Sequence, residues 1–319
     1  MSSGVMEDIK VSIICNAYNH EPYIRDALEG FVMQRTSFAF EVLIHDDAST
    51  DKTADIIREY EAKYPEIIKP IYQTENQYTK GGVSRFQEPR IKGKYVAFCE
   101  GDDYWTDPYK LQKQYDAMEA HPEVDICAHA AVMVDAKDGK ELKRITPSDV
   151  NCVFSVEEVI LGGGGFVASA SLFFRSEFYS ALYEFRRFFR LDFTLQIQGS
   201  LRGGMLYLND NMSVYRYMSV SSWSLDMQRN KEKRIAHNNK IQRMLEILNE
   251  ETGFKYDSTI KTKILKNELT SHLANGDFKS AVSPRYKSVI SELSAKERLK
   301  IRIKAYFPFL VTLKNKLRK

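Results

Sequence analysis

The chain has 319 residues, 43% of them hydrophobic and 28% charged, the composition of an ordinary globular protein with one large domain or two smaller ones. No apolar run is long enough to span a bilayer, and the opening MSSGVMEDIK lacks the apolar core of a signal peptide. The formal net charge of +3 is unevenly spread: nine basic residues between Lys296 and Lys319 face only Glu297, so the rest of the chain is net acidic and is not a nucleic-acid-binding body.

In chain order, KVSIIC (Lys10–Cys15) reads as a buried strand. EPYIRDALEGFVMQ follows, with Ile24, Ala27, Leu28, Phe31 and Val32 spaced as one face of an amphipathic helix. EVLIHDD (Glu41–Asp47) is a second strand, and TADIIREYEAKYP a second helix, capped by Asp51 or Thr53 and ended before Pro65. IIKPIYQT and KYVAFCE supply the third and fourth strands. DPYKLQKQYDAMEAHP is a helix with Asp107 as N-cap, Pro108 at its first position, and Leu111, Tyr115 and Met118 on one face. Strands alternating with amphipathic helices predict an α/β fold with a mainly parallel sheet. Ligands of such sheets bind beyond the carboxyl ends of the strands.

From about Asp125 the alternation loosens. DICAHAAVMVDAKDGKELKRI predicts a hairpin turning at Asp138-Gly139. GGGGFVASASLFFRS is a glycine run entering a strand; Gly162–Gly165 is either a mobile lid or a connector. DFTLQIQGSLRGG is a helix that Asp192 caps and Gly203 ends, and MLYLNDNMSVYRYM suggests two short strands. After Trp223 the pattern is helical. The four cysteines, Cys15, Cys99, Cys127 and Cys152, form no CxxC pair, and three lie in strand-like runs; this predicts reduced thiols of a cytoplasmic protein.

The informative stretch is VAFCEGDDYW, Val96–Trp105. Glu100, Asp102 and Asp103 crowd the end of a strand expected to be central, although like charges repel and are costly to desolvate. Turn-capping alone explains them poorly, because Asp107 already serves the next helix. Hard oxygen ligands without a nearby histidine suit Mg²⁺ or Mn²⁺ shared with substrate phosphates. CNAYNH and HDDAST end the first two strands at the same edge. Asp47 is placed to accept from a nucleobase N–H, and Tyr18 offers a flat face for stacking. His20, His45, His121, His129, His237 and His272 show no metal spacing. Tyr104 and Trp105 are expected to pack beneath the acidic loop, and Trp223 either packs or platforms an acceptor sugar.

VSIICNAYNHEPYIRDALEGFVMQ, EVLIHDDASTDKTADIIREY, KGKYVAFCEGDDYWTDPYKLQKQ and DFTLQIQGSLRGGMLYLNDNMSVYRYM resemble, in order and spacing, the family-two inverting glycosyltransferases of bacterial polysaccharide assembly. The likeness runs from about Ile9 to Ser224. It implies a GT-A fold over residues 1–224, with a nucleotide-sugar half to about residue 124, an acceptor half from 125, and a helical region with a basic amphipathic tail over 225–319. It implies a nucleotide-sugar donor, a UDP-sugar favoured, and a glycan acceptor that may be lipid-linked. Ala17, Tyr18 and Asn19 would line the nucleotide pocket, and Asp47 would bind the base. Glu100 stands where the family's Asp-x-Asp motif has its first Asp. Asp102 would contact metal, ribose and diphosphate, and Asp103 the donor sugar. Asp192 would be the general base, and Arg202 and Arg216, in LRGG and VYRY, would flank the site. Leu191, Gln196 and Met218 depart from the family's usual Glu, Trp and His, and VSRFQEPRI lacks its Arg-Asn, although Arg85 and Arg90 are close by.

Two rival functions are kept. A nucleotidyltransferase would normally carry a basic Gly-rich triphosphate loop at its first strand, and CNAYNHEPY is not one. A glycan-binding or scaffold subunit would keep the fold without turnover. The tail KERLKIRIKAYFPFLVTLKNKLRK either packs on the preceding helices or attaches to an anionic membrane surface.

Overall fold

A computed structural model describes residues 8–80, 82–219, 225, 227 and 229–307. The chain divides into two compact units, residues 1–186 with 190–226, and residues 187–189 with 227–319. Trp223 and residues 308–319 lie outside the described residues.

The first unit begins with β1 (Ile9–Ala17), α1 (Ile24–Val32), β2 (Ala39–Asp46), α2 (Thr53–Lys63) and β3 (Ile68–Tyr72). The short α3 (Ser84–Gln87) precedes β4 (Tyr95–Phe98), β5 (Tyr104–Trp105) and α4 (Lys110–Ala120). Next come β6 (Ile126–Asp135), β7 (Glu141–Ile145), β8 (Cys152–Phe154), α5 (Val156–Gly162) and β9 (Phe173–Arg175). The short helices α6 (Ser176–Ser180) and α7 (Glu184–Phe188) lead to α8 (Asp192–Ser200) and β10 (Met205–Tyr217). The strands form one sheet in the order β3-β2-β1-β4-β9-β6-β10-β5, with β7 on β6 and β8 on β10.

The pairs β2–β3, β1–β2, β1–β4 and β6–β10 are parallel. Ala17 stands level with Asp46, and Ile14 with Phe98, so β1, β2 and β4 end at one edge. The apolar faces of Val11, Ile13 and Cys15 on β1 pack with Ile24, Leu28 and Phe31 of α1, forming the core beneath that edge. All four cysteines are free, and Cys15, Cys99 and Cys127 are buried.

The long strand β10 replaces the two short strands expected there. Its pairing with β6 shifts at Asn211, beside the polar Asn209-Asp210, so those residues form a bulge rather than a turn. The glycine run begins inside a helix that the sequence reading did not place. Ser155 and Glu158 form a capping box that starts α5, and Gly163, at φ 75°, terminates it. Helix α4 begins at Lys110, two residues later than Pro108 suggested, although the Asp107 carboxylate still accepts from Tyr109 N at 2.7 Å.

The second unit contains α9 (Lys231–Glu251), α10 (Asp257–Ala274), α11 (Phe278–Ala281), α12 (Lys287–Ser291) and α13 (Ala295–Tyr306). Its core gathers Leu269, Ala281, Tyr286, Val289 and Ile301. No helix among the described residues is long and apolar enough to cross a membrane.

One contact aims a helix at the strand edge. Helix α8 crosses β6 at Gly199, where an added Cβ would come within 2.7 Å of Ile126 Cβ. Gly199→Ala therefore overpacks this crossing and should cost about 1–3 kcal/mol, read as a lower urea midpoint at unchanged slope. An unshifted midpoint would show that the crossing yields without strain.

Candidate active site

The loops after β1 and β2 are stitched together by side chains. Asn19 accepts from Thr50 N at 2.8 Å while its own N–H donates to Ser49 Oγ at 3.0 Å. Thr53 Oγ1 accepts from His20 N at 2.8 Å, and Asp51 from Glu21 N at 3.0 Å. Asn19 and Ala48 hold left-handed backbone at φ 54° and 63°, which for Ala48 is strain, of order 1–2 kcal/mol. Ala17 is buried and its carbonyl accepts from Asp47 N, whereas Tyr18 keeps an exposed ring face at the rim.

Asp47 sits at this edge as expected, but its oxygens are already engaged. Oδ1 accepts from Gln77 N at 2.7 Å and Oδ2 from Tyr78 N at 3.0 Å. A base reaching Asp47 must share or displace those amides. The neighbouring Asp46 keeps a buried Oδ1 with no partner among the described residues, and burial raises its pKa. Arg85 donates to Gln77 Oε1 at 2.7 Å, and Arg90 to Lys69 O at 2.7 Å.

The acidic loop leaves β4 and bends at Gly101, whose N–H donates to Asn16 O at 2.9 Å. Glycine is required there by space: a Cβ would lie 2.9 Å from His20 Nδ1 and from Ile24 Cδ1. Asp102 Oδ2 accepts from Ser219 Oγ at 2.5 Å. Asp103 Oδ1 accepts from Arg216 N at 2.8 Å, while its Oδ2 is buried with no partner among the described residues. Burial and the Asp102 charge hold the Asp103 carboxyl well above its ordinary range. The Trp105 indole, buried below, donates to Ala170 O at 2.9 Å and meets Phe31 edge-to-face at 5.0 Å.

Asp192 is the first residue of α8 rather than its cap. Leu191 occupies the cap position, and the Thr194 hydroxyl accepts from Leu191 N at 3.0 Å. Asp192 Oδ1 accepts from Phe193 N at 2.7 Å. Glu100 and Asp192 are exposed residues, although neighbouring protein atoms thin the hydration of their carboxylates. Glu100 is pushed up to about 8 by that loss of hydration, then by the Asp102 and Asp192 charges. Asp192 is raised by the same desolvation, against the Phe193 N–H. The structure thus brings Glu100, Asp102, Asp103 and Asp192 into one electrostatic cluster.

Of the two arginines expected to flank the site, Arg216 stands at the acidic loop and Arg202 at the opposite edge. Arg216 braces the acidic loop: Nη1 donates to Asp102 O at 2.9 Å, Nη2 pairs with Asp26, and the guanidinium lies 4.3 Å from the Tyr104 ring centre. Arg202 follows the far end of α8 and grips Asp125, just before β6, and Pro122 O at 2.9 Å. Because β6 runs parallel to β10 and antiparallel to β9, and β9 antiparallel to β4, Asp125 lies at the edge opposite the acids. Ser219, Asn16 and Asp26 were missed in sequence; Ser219, next to the YRYM block, and Asn16, inside CNAYNH, carried a local hint, and Asp26 did not.

Among the described residues no three acidic, imidazole or thiol groups stand close enough to hold a metal alone. The donor set still fits a hard divalent ion whose shell substrate oxygens complete: two or three carboxylates, an unpartnered Asp103 oxygen, and proton affinities raised by mutual repulsion.

A family model described as "Glycosyl transferase family 2" matches residues 12–193. The chain belongs to glycosyl transferase family 2. An uncharacterized protein of Mycobacterium tuberculosis is 37% identical over 216 residues, 67% of this chain and 60% of that protein. The chain thus spans about 60% of the length of these curated relatives. TarS residues 1–349 of S. aureus, in complex with UDP, share the fold at TM-score 0.53 and 21% identity, over 93% of this chain and 87% of that one. So does the mannosyltransferase PcManGT of Pyrobaculum calidifontis, in complex with GDP-Man and Mn²⁺, at TM-score 0.52 and 15% identity, over 94% and 85%. The fold is GT-A-like.

The raised Glu100 pKa has a signed consequence. The folded protein keeps the Glu100 proton up to pH about 8, whereas the unfolded chain releases it near the ordinary 4.5. Stability of the metal-free protein should therefore fall as pH rises across that window. Glu100→Gln should flatten this fall in thermal unfolding series; an unchanged slope would contradict the assignment.

Proposed function

We propose that this family member transfers a sugar from a nucleotide diphosphate to a glycan hydroxyl with inversion, using a divalent metal. The arrangement that carries the reading is three carboxylates, Glu100, Asp102 and Asp103, crowded at the end of β4, with the Asp192 charge near enough to add to the raised proton affinity of Glu100. The GT-A-like neighbours bound to UDP and to GDP-Man with Mn²⁺ support a nucleotide-sugar donor, a UDP-sugar favoured. Residues 1–124 hold the donor in this reading and residues 125–224 supply the base.

Asp102 and Glu100 would hold Mn²⁺ or Mg²⁺ together with diphosphate oxygens. When bound, that ion screens the charge accumulating on the leaving diphosphate. Ser219 and Arg216 keep Asp102 and Asp103 oriented so that the repelling acids stay in place. The rim formed by Ala17, Tyr18 and Asn19 receives the nucleoside, with Tyr18 as a stacking face. Asp192 takes the proton of an acceptor hydroxyl. That oxygen bonds to the anomeric carbon on the face opposite the diphosphate, and the carbon–oxygen bond to the diphosphate breaks. A single displacement inverts the centre. The raised pKa of Asp192 makes it a stronger base than a solvated carboxylate.

Asp192→Asn keeps an oxygen for Phe193 N–H, so folding should be spared. Turnover should drop about 10²–10⁴-fold with donor affinity intact. If calorimetry showed donor binding collapsing while turnover per bound donor survived, Asp192 would be misassigned.

The tail supports a further element of the reading, peripheral attachment to an anionic membrane that carries a lipid-linked acceptor. Helix α13 places Ile301 in the core of its unit and leaves Leu299 and Tyr306 exposed, with the following Phe307 also exposed. Truncating the whole tail would therefore disturb folding. Reversing the charges of Lys314, Lys316, Arg318 and Lys319 leaves Ile301 in place, and should weaken binding to anionic vesicles by about 1 kcal/mol per residue. Equal binding by both proteins in a sedimentation assay would defeat this element.

A further inference from the structure

The helical unit carries a half-open surface groove of about 340 Å³ that the chemistry above does not use. Helix α10 turns Ile264, Asn267, Glu268 and Ser271 toward it, the spacing of one helix face. A face directed at a neighbouring helix is ordinarily apolar. Here the apolar packing is carried by a separate stripe, Leu265, Leu269 and Leu273, which joins the core around Val289 and Ile301. The polar face is thus an addition to the packing surface, not a substitute for it.

One wall of the groove is internally satisfied. Arg285 Nε and Nη2 donate to the two Glu268 oxygens, each at 2.9 Å, and Tyr286 Oη donates to Glu268 Oε2 at 3.1 Å. His272 stands 3.2 Å from Tyr286 Oη on one side and 3.0 Å from Asp277 Oδ2 on the other. The Arg–Glu pair of this network cancels in charge. The other wall is different. The carboxamides of Asn238, Asn239 and Asn267 make no side-chain hydrogen bond among the described residues, and Gln242 uses only its N–H, toward Glu246 at 3.3 Å.

Each carboxamide offers donors and an acceptor side by side. Hydroxyl groups do the same, so a wall of open amides complements a polyol. The balanced charge favours neither an anion nor a cation, and Ile264 alone gives too little apolar surface for a lipid chain. The volume lies at the low end of ligand pockets. We propose that this groove is a carbohydrate-binding site for a neutral saccharide unit, in a different unit from the acidic edge. The lining alone selects the ligand class, so the inference stands or falls independently of the transferase reading.

The test uses the full chain without donor or metal, so the outcome does not depend on turnover. Methyl glycosides of glucose, galactose, mannose and N-acetylglucosamine are titrated by saturation-transfer NMR and calorimetry, with inorganic phosphate as the charged control. At least one neutral glycoside should bind, and Asn238→Ala with Asn267→Ala should raise its Kd about tenfold, as the loss of two hydrogen bonds implies. Gln242→Ala, a separate variant checked by thermal unfolding, should weaken the same glycoside. Binding that both variants leave unchanged overturns the proposal. So does no neutral glycoside binding at tens of millimolar, or phosphate binding in preference to every glycoside.

Discussion

The structure depends on keeping several carboxylates together at the end of a buried strand. Asp102 and Asp103 are both buried, and Glu100 and Asp192 stand beside them. Left alone, such a group would move apart or take up protons. The fold opposes the first response with fixed partners: Ser219 on Asp102, the backbone of Arg216 on Asp103, and the Arg216 guanidinium on the loop carbonyl. The second response remains, and the raised proton affinities of Glu100, Asp103 and Asp192 express it. Bracing repelling acids rather than separating them concentrates negative charge at this edge, and the proposed metal-dependent reading rests on that.

The rest of the first unit can be read as support for that edge. Parallel pairing of β1, β2 and β4 brings three loops to one side. Gly101 lets the acidic loop lie against His20, and Gly30 lets α1 approach the Trp105 backbone beneath it. On the other flank α8 rests on β6 at Gly199, with its first residue, Asp192, delivered to the acids. The chain positions its reactive groups through close backbone approaches that only glycine permits.

Much of this was legible in the sequence because it is local. Strand and helix alternation predicted β1 to β4, with α1, α2 and α4, to within a few residues but not the short α3 and β5, and the acid run EGDD announced its own electrostatic conflict. Several of the differences share one cause, dependence on distant partners. Arg216 stands by the site as its block suggested, but its bracing of Asp26 and Asp102, far back in the chain, was not legible. Arg202 was expected there too, and the length of α8 carries it to the opposite edge, onto Asp125. Asn209-Asp210 looked like a turn and is a bulge inside β10, because β6 continues alongside. The four glycines after Leu161 hid a helix whose capping box, Ser155 with Glu158, was visible.

The most direct measurement of the central claim is anomalous diffraction from crystals grown with Mn²⁺ and UDP. The account predicts a manganese peak within bonding distance of Asp102 and Glu100, bridged to the diphosphate. A peak bound elsewhere, or a diphosphate seated away from this strand edge with the ion saturating, would contradict it.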